Sequence, residues 1–456
     1  MTADPLRWLW ALTAVGLWLL LVAAVAWTRA RARRAGAARA AALAPAEDAD
    51  ALLIAFASQT GQAEELAWMT ADSLSGAGVP SRVVLLGDLE PEQLKAAGRA
   101  LMIASTTGEG DSPDALSGFA RRHMTTPADL SGLSYGLLAL GDRSYADFCG
   151  FGRTLDTWLQ RSGAAPLFDR IEVDDGDADA VRHWQHQLGA VAGRAVEADW
   201  TPPAYDRWRL AARTHLNPGS PGGEVWRLAF EPIDHAPLWV AGDIAEIGLP
   251  AVDGAAPASR EYSVSSLPSD GAVELIIRLA VRDDGSPGLA SGWLIRGLEP
   301  GDPVDMRLRT NRSFHGPPPD VPLILIGNGS GLAGLRAHWR ARAGGPHGGT
   351  WLLFGERTSA CDAFLDDELQ AALTSRVLTR LDRAFSRDPG DGRYVQDLLT
   401  GNAGELARWV DRGAVLLVCG SLGGMSTGVH AALETILGGE RLLELTETGR
   451  YRRDVY

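Results

Sequence analysis

The residues with the clearest chemistry in this sequence lie in three short polar turns, each closing an apolar run. The first is Ser58-Gln59-Thr60-Gly61-Gln62, between the run Leu52 to Ala57 and a helix-forming segment with Glu64 and Glu65 in its first turn. Strand, hydroxyl-rich turn and helix in that order put backbone N–H groups and two hydroxyls at a helix N-terminus. Those N–H groups lack intrahelical partners, and the macrodipole favours negative charge there. The turn carries no Lys, and its glycine spacing is wrong for a nucleoside-triphosphate loop, so it fits a terminal phosphate held by neutral donors. By itself the stretch equally fits an ordinary capped helix after a core strand. The second turn, Ser105-Thr106-Thr107-Gly108-Glu109-Gly110-Asp111, ends an apolar run from Ala100. The third, Gly141-Asp142-Arg143-Ser144-Tyr145-Ala146-Asp147-Phe148-Cys149, ends one from Tyr135 to Leu140. Three strand ends with small, polar or aromatic loops are what a doubly wound parallel sheet presents to a ligand.

In their order and spacing, SQTG, STTGEGD and LGDRSYADFC resemble the three FMN loops of the flavodoxin-type domain of diflavin reductases. The sulfite reductase flavoprotein type is the nearer resemblance and the NADPH–haemoprotein reductase type the next. The resemblance implies that Ser58, Gln59, Thr60, Gly61 and Gln62 wrap the FMN phosphate. Ser105, Thr106, Thr107 and Gly108 would line one side of the ring system. Gly141, Asp142, Tyr145, Phe148 and Cys149 would line the other. Tyr145 is the expected stacking partner, since a flat aromatic face suits a flavin; a packed loop aromatic is the plainer alternative. Thr107 stands where the haemoprotein-reductase type carries a second aromatic, so one-sided stacking is expected.

Further along, Arg260-Glu261-Tyr262-Ser263 resembles the R-x-Y-S signature of the FAD domain in the ferredoxin–NADP reductase superfamily. By that resemblance Arg260 answers the pyrophosphate, Tyr262 packs on the flavin and Ser263 sits near flavin N5. Gly288 to Leu294 looks like the second FAD loop, with Gly288, Ser291 and Trp293 as its contacts and a helix start aimed at the pyrophosphate. Diflavin reductases usually insert a long helical region before R-x-Y-S. Here only some 60 residues separate Trp200 from Arg260, and none reads as a helical insert.

The last third opens on the apolar run Pro322 to Ile326, then Gly327-Asn328-Gly329-Ser330-Gly331-Leu332-Ala333-Gly334 and a helix through Arg340. A glycine-rich strand-to-helix turn lets a pyrophosphate approach the backbone, which makes Gly329, Ser330 and Gly331 binding candidates. Against the family form G-x-G-T-G-x-A-P, Ser330 is a mild change and Gly334 a larger one. Arg357 ends the next strand. Ser386-Arg387 and Arg393-Tyr394-Val395-Gln396 match the family segment that selects NADPH, because a 2′-phosphate needs cations and hydroxyl donors. A solvated charged loop is the alternative for Arg393. By resemblance, Ser263, Cys419 and Asp454 surround the nicotinamide and flavin N5, with Tyr456 covering the flavin face. Cys419 read alone is equally a buried apolar thiol.

The elements that must position these residues follow. At 456 residues the chain exceeds one core. The expected fold is α/β plus all-β: a membrane-spanning helix, a flavodoxin-like sheet of order 2-1-3-4-5, an antiparallel FAD barrel and an α/β NADP domain. Strands are expected near 52–57, 82–86, 100–106, 135–140 and 166–173, then at 224–230, 237–247 and 273–281. The expected domains are a membrane anchor with its basic flank at 1–34, an Ala-rich tether at 35–51, an FMN domain at 52–197, an FAD barrel at 200–318 and an NADP domain at 319–456. Trp8 to Thr28 carries no charge and is flanked by Trp8, Trp10 and Trp27, which reads as a span of the lipid bilayer. Arg29, Arg31, Arg33, Arg34 and Arg39 after it place the remainder in the cytoplasm, at an inner membrane. A cleaved signal peptide is the competing reading.

A net charge of −14 argues against nucleic acid as a partner. Three scattered cysteines offer neither a disulfide framework nor a metal site. FMN, FAD and NADPH are the implied cofactors, and a haem or sirohaem protein the implied acceptor. The rival readings are a ferric-chelate or quinone reductase without a protein partner, and a non-catalytic docking subunit of a membrane complex.

Overall fold

The computed structural model describes residues 51–143, 145–193, 200, 204–235, 237–250, 259–282 and 284–455. The expected span Trp8–Thr28, the tether and Tyr456 lie outside these residues. Among the described residues, no helix is long and apolar enough to cross a membrane.

The first sheet consists of β1 (Leu52–Ala57), β2 (Ser81–Leu85), β3 (Arg99–Ser105), β4 (Ser134–Gly141), β5 (Ala165–Pro166) and β6 (Ile171–Asp174). Its order is β2-β1-β3-β4-β5, with β6 also on β4, and every pairing is parallel. Apolar residues face both ways along β1, β3 and β4, so helices must cover both faces. Leu53, Ala55, Met102 and Leu137 bury against Phe119 and Trp158; Ile54, Leu101, Ile103 and Leu138 bury against Leu74 and Trp184. The order is the expected one, but the last strand is not continuous over 166–173. Pairing runs past Pro166 to Leu167, whose N–H still reaches the Tyr135 carbonyl (2.7 Å), and resumes only at Ile171.

The second sheet is antiparallel: β7 (Asp206–His215), β8 (Val225–Pro232), β9 (Ile244–Gly248), β10 (Ser259–Ser263), β11 (Val273–Arg278) and β12 (Pro303–Arg309), in the order β10-β9-β12-β7-β8-β11. Its two edges meet through Ser265 N–H to the Glu274 carbonyl (2.8 Å) and Glu274 N–H to Ser266 Oγ (2.9 Å), which closes it as a barrel. Two strand expectations need correction. The strand read at 237–247 begins only at Ile244, because Gly242 turns the chain at φ +101° against the Phe314 carbonyl. β7 went unread, because a bulge between Leu210 and Ala212 breaks its alternation. Among the described residues between Trp200 and Arg260 there is no helix.

The third sheet is parallel: β13 (Leu323–Asn328), β14 (Thr350–Glu356), β15 (Arg380–Phe385), β16 (Val415–Gly420) and β17 (Tyr451–Val455), ordered β15-β14-β13-β16-β17. The helix Leu332–Arg340 follows its glycine turn as expected. Arg336 on that helix joins the barrel to this sheet. It is buried, donates to Glu368 (2.8 and 2.7 Å) and the Ser265 carbonyl (3.2 Å), and pairs with Glu274. Removing one partner of such a buried network costs about 3–5 kcal/mol, because it strands a charge.

Candidate functional site

The C-terminal ends of β1, β3 and β4, neighbours in the first sheet, carry the three polar turns. At the first, Gly61 takes a left-handed backbone (φ +91°) and its N–H donates to Ser58 Oγ at 2.9 Å. A Cβ there would lie 2.7 Å from the Thr310 carbonyl of the barrel, so the turn and barrel touch at a glycine. Ser313 Oγ donates to the Gln59 carbonyl and Arg309 to the Thr60 carbonyl (3.3 Å). With two carbonyls of the turn satisfied from the barrel side, the helix start at Gln62 keeps its donors for an anion.

In the second loop the Thr106 and Thr107 hydroxyls are buried without a hydrogen-bond partner. A buried unpaired hydroxyl costs roughly 1–3 kcal/mol, so the pair fits a ligand with a polar edge. The Gln59 carboxamide ties this loop to the first, accepting from Asp114 N–H at 2.9 Å and donating to Asp114 Oδ2 at 3.3 Å. In the third loop Tyr145 is half-buried, and its phenol is held above the usual value by burial, then by Asp142 and Glu109. Phe148 is buried beneath the Arg143 guanidinium, 4.4 Å from the ring centroid. Cys149 turns inward: its sulfur lies 3.4 Å from the Ala139 carbonyl, and burial pushes the thiol up to about 12. Its side chain belongs to the core. Gly141 is required there, since a Cβ would fall 2.7 Å from Cys149 N.

A second site forms where the barrel meets the third sheet. Ser263 at the end of β10 donates to Asp454 Oδ2 (2.7 Å) across 191 residues of sequence, and Cys419 Sγ lies 3.8 Å from the same oxygen. Cys419 and Asp454 face each other in the β16–β17 register. Burial raises the Asp454 carboxyl above its usual range, against the Ser263 and Cys419 hydrogen bonds. Burial, and then Asp454, drives the Cys419 thiol well above its own, so it is neutral. The arrangement offers a hydroxyl, a thiol and a carboxylate aimed at one point in a water-poor environment. Gly334, the departure noted in the glycine turn, abuts this group: a Cβ would lie 2.8 Å from Cys419 Sγ and 3.3 Å from Ser263 Cβ.

Tyr262 packs on the barrel core, and burial pushes its phenol up to about 12. The Arg260 guanidinium pairs with Asp175, at the end of the first sheet, at 2.9 Å. Ser291 Oγ accepts from Ala280 N–H (3.0 Å), which holds the Gly288 turn against the barrel, and Trp293 packs on the barrel core.

In the glycine turn, Gly329 stands at φ +54° beside the Arg278–Glu356 pair, and a Cβ on Gly331 would meet the Cys419 carbonyl at 2.1 Å. Glycine here lets the turn lie on β16. Ser330 is the middle residue of this turn. At the ends of β14 and β15, Arg387 N–H donates to the Arg357 carbonyl (2.7 Å), which sets the two arginines side by side. Both are exposed; Arg357 lies in the field of the Glu356 carboxylate, and among the described residues the Arg387 guanidinium has no hydrogen-bonding or ionic partner. Ser386 Oγ donates to the Glu356 carbonyl at 3.3 Å. Arg393 is instead paired with Asp391 on its own loop, while Tyr394 is exposed and Gln396 packs at Gly428.

What the sequence did not reveal is how the two sites are joined. Arg307 pairs with Glu65 (3.0 Å), Arg312 with Glu64 (2.6 Å), Arg260 with Asp175, and Arg453 with Asp114. Each pair crosses from the first sheet's loops to the barrel or to β17, over up to 339 residues. No periodicity marks such partners; the acidic first turn (Glu64, Glu65) facing an arginine-rich barrel edge was the available signal.

The chain is similar to known proteins over most of its length. Residues 54–184 match the flavodoxin family. The sulfite reductase [NADPH] flavoprotein alpha-component of Vibrio vulnificus is 27% identical over 90% of this chain and 88% of its own length. Those of Vibrio parahaemolyticus (28%, 90% and 87%) and Photobacterium profundum (27%, 90% and 90%) are similar to the same extent. The alignment with the first runs over 543 positions, more than the 456 residues available, so that relative holds residues this chain lacks. These relatives overturn the placement at an inner membrane. They match nine-tenths of this chain and are named as flavoprotein components of sulfite reductase, not as membrane proteins.

Proposed function

The chain is a relative of the diflavin reductases, and on that premise we propose that it is an NADPH-dependent flavin oxidoreductase serving a haem or sirohaem protein. Its working parts would be an FMN domain at 52–197, an FAD barrel at 200–318 and an NADP domain at 319–456. When bound, NADPH supplies an electron pair, and FAD and FMN in series release it as single electrons. The observation that carries this reading is the meeting of Ser263, Cys419 and Asp454, drawn from two sheets onto one buried point.

In this reading Ser58 to Gln62 hold the FMN phosphate, and the Thr106 and Thr107 hydroxyls meet the polar edge of its ring. Gly141 and Asp142 shape the third loop, and Tyr145 stacks. Arg260, Tyr262, Gly288, Ser291 and Trp293 hold FAD. Gly329, Ser330 and Gly331 admit the NADPH pyrophosphate, and Arg357, Ser386 and Arg387 clamp its 2′-phosphate, with Arg393, Tyr394 and Gln396 at the rim. Ser263 and Asp454 orient the nicotinamide and steady the positive charge that develops on it, and the neutral Cys419 fills the space beside them. The acceptor is inferred from relatives named as one component of a sulfite reductase, and a net charge of −14 suits a basic acceptor surface.

Denaturing the purified full-length chain should release FMN and FAD in equal amounts, and anaerobic NADPH should bleach the flavin absorbance faster than NADH. Release of a single kind of flavin, or of none, would overturn the reading.

A further inference from the structure

The last strand takes part in both sites through consecutive residues. Asp454 accepts from Ser263 in the second site. Arg453, one residue earlier, faces the other way, as neighbours on a strand must. Its Nε donates to both Asp114 oxygens (3.0 and 3.1 Å), and its Nη2 also reaches Oδ1. The Arg453 carbonyl accepts from Gln59 Nε2 at 2.6 Å, and Gln59 in turn holds Asp114 N–H at 2.9 Å. Gln59 of the phosphate turn, Asp114 after the second loop and Arg453 thus form one hydrogen-bonded ring.

The ring is not a surface ion pair. Asp114 is 8% exposed, and the Arg453 side chain 23%. Burial works against the Arg453 charge, yet the Asp114 carboxylate outweighs it and holds the guanidinium above its usual value. A bidentate arginine–carboxylate contact in this setting fixes orientation as well as distance.

We propose that Arg453 is a positioning residue that couples the two flavin sites. It sets the phosphate turn through Gln59 and Asp114, and it places Asp454 against Ser263 and Cys419 through the backbone of β17. This rests on the diflavin reading above and adds a linkage to it. A ligand that orders the phosphate turn orders the Gln59 carboxamide, hence β17, hence Asp454. Such coupling is reciprocal in binding free energy: whatever FMN does for the nicotinamide site, NADP⁺ must do for FMN.

The test uses the full chain, freed of FMN and titrated with FMN by quenching of flavin fluorescence, with and without saturating NADP⁺. For the natural sequence, NADP⁺ should tighten FMN binding about 5-fold or more, the lower range of measured couplings. Arg453→Ala and Asp114→Asn should weaken FMN about 10-fold, as expected for one lost charged hydrogen bond, and bring the NADP⁺ effect to unity. The charge exchange Asp114→Arg with Arg453→Asp should recover part of the coupling, which a general loss of folding would not allow. An NADP⁺ effect that survives intact in Arg453→Ala would overturn the proposal, as would FMN affinity in the natural sequence that ignores NADP⁺. Failure of the natural sequence to take up FMN at all would instead overturn the diflavin reading.

Discussion

The two sites of this molecule are built on opposite electrostatic plans. The cleft of the first sheet is assembled from loops and joined to its neighbours by charges, several of them near solvent: Arg260–Asp175 is about half exposed on both sides. In the Ser263–Cys419–Asp454 group the thiol and the carboxyl are buried and Ser263 is half-buried, and the three are held by short-range hydrogen bonds. The first plan tolerates movement and answers to salt; the second needs fixed distances and answers to proton concentration. A chain that must pass electrons on, yet protect the step at which it receives them, benefits from having one of each.

The sharpest way to break this contrast is at Asp454. Asp454→Asn should slow reduction of the flavin by NADPH about 100-fold, the loss typical of a removed electrostatic group, in stopped-flow traces at 450 nm. Because burial raises the folded-state pKa of Asp454, this group's contribution to stability is fully present below the unfolded value and is lost as pH rises through the folded one. The same variant should therefore melt higher than the natural sequence at neutral pH, and the gain should vanish in acid. Reduction in the natural sequence should fall as pH drops into a range above that of an ordinary Asp.

Next in size, Arg387→Ala should lower the preference for NADPH over NADH about 10–100-fold, the value of one charged hydrogen bond to phosphate, seen as a rise in KM for NADPH alone. Arg393→Ala, already paired with Asp391, should change it far less. Tyr145→Ala should weaken FMN about 10-fold, as loss of one aromatic contact does, while leaving reduction of the flavin by NADPH in the second site within error. The smallest effect sharpens the comparison directly. Raising salt from 0.05 to about 0.5 M shortens the Debye length to a few ångströms. Transfer to an external acceptor should change a few-fold, and the NADPH half-reaction should not.

How much of this could be read in advance depended on range. The three loops were legible because each is a local alternation of apolar run and polar turn, and the order of the first sheet came from reading them together as a doubly wound, flavodoxin-like sheet. The meeting of Ser263, Cys419 and Asp454 was legible only through resemblance, since nothing in their spacing places a barrel serine beside a C-terminal aspartate. The inward turn of Cys149 was missed because a left-handed residue (φ +54°) at a helix start reverses the side chain expected of a loop. The cross-sheet pairs were missed for a different reason: Asp114 lies in an unremarkable polar stretch and Arg453 in a C-terminal segment read only for Asp454 and Tyr456, and only the packed fold makes them partners.

With the missing Cβ of Gly334 placed 2.8 Å from the Cys419 sulfur, the helix Leu332–Arg340 stands against the thiol with no intervening atom. That makes position 334 a steric gauge for the chamber: one methyl group added there must push either the thiol or the helix outward. Engineers seeking to widen or narrow the aperture at this end of the molecule have a dial that acts directly on the Cys419 thiol and the Ser263 side chain.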